Sequence, residues 1–95
     1  MTIENLQAAL SALQGQVNQF AGALMEMVRA RHPEAVFSDP YYWADEGVWL
    51  IHAHVADTDD FELQEQLAMR EAEILKRKSI RMCMLLLPRG EPFAD

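Results

Sequence analysis

The sequence predicts an α+β two-layer sandwich in the order α-β-β-α-β, with a long N-terminal helix and a second helix on a three-stranded mixed sheet. Three observations predict it. Ile3, Leu6, Leu10, Leu13, Val17, Phe20, Leu24 and Met27 recur at alternating steps of three and four, the apolar stripe of one amphipathic helix. Val48 to Ala56 alternates with period two, as a strand does. A second helical stretch then separates that strand from the apolar run Ile80 to Leu87. Two strands joined through a helix pair in parallel when adjacent.

Each element has its own start and stop signals. Thr2 is a candidate N-cap, and Glu4 sits in the first turn, where the helix dipole favours an anion. Arg29, Arg31 and His32 gather at the far end, and Pro33 stops the helix by pushing its predecessor out of the α region. The first helix thus spans about residues 3–31.

Residues 34–56 read as a β-hairpin. Ala35-Val36-Phe37 and Tyr41-Tyr42-Trp43 are β-prone pieces broken at Asp39-Pro40. Asp45-Glu46-Gly47 forms the loop, with glycine where a left-handed residue is needed. In the strand that follows, Trp49, Ile51, Ala53 and Val55 face one way, and Val48, Leu50, His52 and His54 the other.

The second helix starts near Asp59, which has capping-box spacing to Glu62. Leu63, Leu67 and Ile74, with Ala68, Ala72 and Leu75 offset, form its buried side, and Lys76, Arg77 and Lys78 close it. Ile80 to Leu87 is the last strand, and residues 89–95 a frayed tail. The chain, 1–95, is a single domain.

The outward face of the first helix is unusual. Ala8, Gly15 and Gly22 recur every seven residues beside Ala12 and Gln19, and no charge appears from Asn5 to Met25. A solvated helix face ordinarily carries Lys and Glu, and an interior glycine costs about 1 kcal/mol relative to alanine. The helix therefore reads as packed on two sides, large residues on its own sheet and small ones on another body. At about 1.5 Å per residue it is some 40 Å long and overhangs a three-stranded sheet. The expectation is a two-fold homodimer through this helix face (Ala8, Ala12, Gly15, Gln19 and Gly22), through the free sheet face that bears His52 and His54, or through both.

Composition narrows the function. The formal charge is -7, which repels nucleic-acid phosphates and anionic lipid, so neither nucleic acid nor membrane is expected as a partner. One cysteine, Cys83, forms no internal disulfide, which suits a reducing cytoplasm. No signal-peptide layout opens the chain, and the amides of residues 5–19 argue against a membrane span. Phosphate loops, GxSxG, HExxH and CxxC are absent.

The residues with chemistry to offer are few. His52 and His54, at i and i+2 on one strand face, have a spacing that metal sites use, and Asp57 follows with a carboxylate. Arg81 and Cys83 share a face of the last strand and could stand beside them. The bland reading makes the histidines surface residues and the acids a helix cap. Tyr41, Tyr42 and Trp43 read as an aromatic closure of the core, with one tyrosine exposed.

The reading is a small, acidic, cytoplasmic α+β protein without a cofactor, a homo-oligomeric binding or adaptor module acting through protein–protein contacts with itself and a second protein. A non-catalytic role is favoured, and no catalytic residue is assigned. The alternative is a metal-binding or hydrolytic protein built on His52, His54 and Asp57.

Overall fold

Val17, Ala21, Leu24 and Val28 lie on one stripe of helix α1 (Ile3–Arg31), and all four are buried against the sheet. The computed structural model describes residues 3–89, with side chains from Ala8 onward. Thr2 and residues 90–95 of the expected tail lie outside the described residues. Arg89 is tied down, its N–H donating to the Val55 carbonyl at 3.0 Å.

The chain continues through β1 (Val36–Phe37), β2 (Tyr41–Trp43), β3 (Val48–Val55), α2 (Phe61–Lys78) and β4 (Met82–Pro88). This is the α+β order read from the sequence, with one expected strand split. β3 is central. β1 and β2 both pair with it antiparallel, Val36 opposite His54 and Tyr41 opposite Leu50. Pro40 lacks an N–H for the ladder, which accounts for the break between the two pieces. On the other side β4 pairs with β3 in parallel, Leu50 opposite Cys83 and His52 opposite Leu85. The hairpin loop spans residues 44–47, with the Gly47 N–H donating to the Trp43 carbonyl at 2.8 Å and Gly47 at φ 64°, the left-handed position glycine serves.

Both helices lie on one face of the sheet. Ile51, Ala53 and Val55 of β3 and Met82 and Met84 of β4 pack against the α1 stripe and against Leu63, Leu67 and Ile74 of α2. From Ala8 onward, the first buried residue of α1 is Val17: Leu10 is 56% and Leu13 37% exposed. The overhang expected from the length of the helix falls on these two leucines. α1 is about 43 Å long, against about 26 Å for β3, and its first half runs past the end of the sheet. On α2, Ala68, Ala72 and Leu75 are exposed rather than buried. The helix presents only its Leu63–Leu67–Ile74 line to the core.

The helix ends are pinned to each other. Asp60, not Asp59, is the N-cap of α2, its carboxylate accepting from the Leu63 N–H at 3.2 Å. The same carboxylate accepts two bonds from Arg31, at 2.7 and 2.9 Å, and lies 2.9 Å from His32 Nε2. Hydrogen bonding to Arg31 outweighs an opposing desolvation and, with the Leu63 N–H and His32, holds the Asp60 carboxyl down to about 2. At the other end of α2, Ser79 closes the helix at φ 57°, its N–H donating to the Leu75 carbonyl. Among the described residues no helix is long and apolar enough to cross a membrane.

Candidate functional site

Among the described residues two surfaces remain open, and they face opposite ways. The first is the sheet face turned away from both helices. Strand pairing places Val36, Tyr41, Trp43, Leu50, His52, His54, Cys83 and Leu85 on it. No described element lies over it, and Tyr41 is 41% and Trp43 44% exposed, with Val36 and Leu85 exposed as well. The expected closure of the core by the Tyr41–Trp43 cluster is therefore corrected. Tyr41 and Trp43 pair with residues of the open face, while Tyr42 points to the helix side, its ring 5.3 Å from that of Trp49.

His52 and His54 are not surface histidines. They are 8% and 4% exposed, because side chains of the flanking strands close around the central one. His52 Nε2 lies 2.9 Å from the Tyr41 hydroxyl, with the rings edge to face at 5.5 Å. Its backbone N–H donates to Ser38 Oγ. His54 Nδ1 lies 3.0 Å from the Pro88 carbonyl oxygen. Asp57 accepts the Asp59 N–H at 2.9 Å, a turn at the entry to α2. Among the described residues no group of three or more His, Cys, Asp or Glu is arranged to hold a metal ion. Of the two residues expected beside the histidines, Cys83 shares the open face, where burial and then the nearby Glu71 raise its thiol pKa. Arg81 instead donates to the Glu46 carbonyl at 3.2 Å.

No family model, curated protein or solved structure matches this chain.

The second open surface is the outward face of α1. Ala8, Ala12, Gly15 and Gln19 are exposed and Gly22 is half-buried. A Cβ added at Gly15 or Gly22 would meet nothing within 4 Å. Among the described residues no packing contact requires these glycines.

Glu71 was not legible as a special residue. In the β3–β4 ladder the Trp49 N–H donates to the Arg81 carbonyl and the Arg89 N–H to the Val55 carbonyl. That register turns the backbone of odd-numbered β4 residues toward β3 and that of Met82, Met84 and Leu86 toward the free edge. The Glu71 carboxylate caps this edge, accepting the Met84 N–H at 2.8 Å, and its burial raises its pKa against that bond. A carboxylate on an exposed edge discourages pairing with a foreign strand. Its position on the border of the buried stripe of α2 was the only signal.

Proposed function

We propose that this chain is a non-catalytic, homo-oligomeric binding module of the cytoplasm. In this reading α1 joins two copies across its small-residue face, and the open sheet face carries a second protein. The observation that carries the reading is the opposed placement of two open faces. A single two-fold contact uses one of them and leaves the other free, which gives the module one side for itself and one for a partner.

The assignment of faces follows from their chemistry. The outward face of α1 lacks charge from Asn5 to Met25 and presents Gly15 and Gly22 with space above them. Such a face lets two helices approach to about 8–10 Å between axes. Two antiparallel copies about a two-fold axis would meet along most of a helix about 43 Å long. The sheet face instead displays Tyr41 and Trp43, residue types that anchor contacts between different proteins.

Light scattering on point variants tests the division. Gly15→Glu and Gly22→Glu put a carboxylate into the helix contact and are expected to lower the particle mass. Trp43→Lys is expected to leave the mass unchanged. Masses that fall with Trp43→Lys and hold with both glycine variants would reverse the assignment. Equal masses for all four proteins would remove α1 from the assembly.

A further inference from the structure

Where α1 overruns the sheet, it roofs a cleft of about 570 Å³. Leu10 and Leu13 form the roof, Trp49 and Ile80 the floor, and Leu75 of α2 one wall. This volume falls within the range of small-molecule sites, roughly 300–1,000 Å³, and the apolar lining with few polar groups is typical of them. The cleft also explains Leu75, which leaves the buried stripe of α2 and yet is not surrounded by water alone.

Two polar side chains of the cleft, Arg81 and Tyr42, meet at the Glu46–Gly47 turn. Arg81 lines the cleft and donates to the Glu46 carbonyl at 3.2 Å. Among the described residues no carboxylate, that of Glu46 included, lies within ion-pair distance of Arg81. Tyr42 lines the cleft as well, its hydroxyl 3.6 Å from the position of a Cβ on Gly47, and that hydroxyl has no hydrogen-bond partner among the described residues. At the Glu46–Gly47 turn a guanidinium held only by a backbone carbonyl thus lies beside a hydroxyl with no partner among the described residues. A guanidinium at the rim of an apolar cleft, with no carboxylate at ion-pair distance among the described residues, is complementary to an anion that carries an apolar body.

We propose that this cleft binds a free alkyl carboxylate, its chain against Leu10, Leu13, Trp49 and Leu75 and its carboxylate on Arg81 and the Tyr42 hydroxyl. The site lies on the opposite side of α1 from Gly15 and Gly22, so it is available to one copy or to two. It does not depend on the dimer.

Calorimetric titration of the full chain with decanoate below its micellar concentration tests the site, with octanoate and decanol as companions. Saturable binding at one decanoate per chain is expected, weakened roughly tenfold in octanoate, which has two fewer methylenes. Arg81→Gln is expected to weaken decanoate at least tenfold, the worth of a charge-assisted bond, and to leave decanol within twofold. Retained decanol binding shows that the cleft of the variant is intact. Leu13→Gln, at a position already exposed, is expected to weaken both ligands. Absence of saturable decanoate binding overturns the proposal, as does an Arg81→Gln protein that binds decanoate like the wild type. Light scattering on the same solutions reads the oligomer separately, so failure of the cleft and failure of the dimer are distinguishable.

Discussion

The Tyr41 hydroxyl and His52 Nε2 stand 2.9 Å apart on the open sheet face, which they share with Val36, Leu50 and Leu85. Their contact ties the short β2 piece to the central strand beyond what the backbone ladder supplies, and it gives a mostly buried imidazole a partner. Tyr41→Phe keeps the ring and removes the hydroxyl. The loss expected in urea unfolding is about 0.5–1.5 kcal/mol, the net worth of a neutral hydrogen bond. An unchanged urea midpoint would show that water replaces the hydroxyl without cost.

Asp60 links stability to acid. Its folded pKa, about 2, lies below the ordinary value of 3.8. A depressed carboxyl stabilises the fold fully above its unfolded pKa and loses that contribution as pH falls from about 4 through about 2. The wild-type melting temperature is therefore expected to drop across that window. Asp60→Asn, which keeps an N-capping oxygen but no charge for Arg31, should melt lower at pH 7 and show a shallower decline between pH 4 and 2. Parallel acid profiles would contradict the linkage.

Ser79 holds φ 57° at the C-terminus of α2, a left-handed conformation that costs a side-chain-bearing residue and favours glycine. Ser79→Gly is expected to stabilise by about 0.5–1 kcal/mol, with the Leu75 carbonyl still capped. Thermal unfolding of the variant checks the sign, and a lower melting point would refute it.

The two halves of α1 should respond differently to truncation. Leu24 is fully buried in the core, so Leu24→Ala is expected to cost about 2–5 kcal/mol. Leu13 stands over the end of the sheet, so Leu13→Ala should cost about 0.5 kcal/mol or less. Comparable losses at both sites would mean that the overhang is as tightly packed as the core.

What was legible in the sequence is what periodicity encodes. The 3–31 helix, the alternation of β3 and the parallel return of β4 follow from spacing and from Pro33 and Gly47, and the structure bears them out. What periodicity leaves open is how far a face is covered. The stripe from Leu10 to Met27 is continuous in sequence, yet only the part over an eight-residue strand is buried. The same limit governs His52 and His54. Alternation put them correctly on the face opposite Ile51, but their burial depends on Tyr41, Val36, Leu85 and Leu87, whose register no local pattern gives. The meeting of Arg31 and Asp60 joins residues 29 positions apart and was likewise out of reach.

The most direct measurement of the two-fold assembly is the solution mass of the wild-type protein by sedimentation equilibrium across a wide concentration range. A particle of twice the 10.8 kDa chain mass is expected, reverting toward one chain on dilution. A mass of one chain at the highest concentration, with Gly15 and Gly22 left in solvent, would contradict the role assigned to α1.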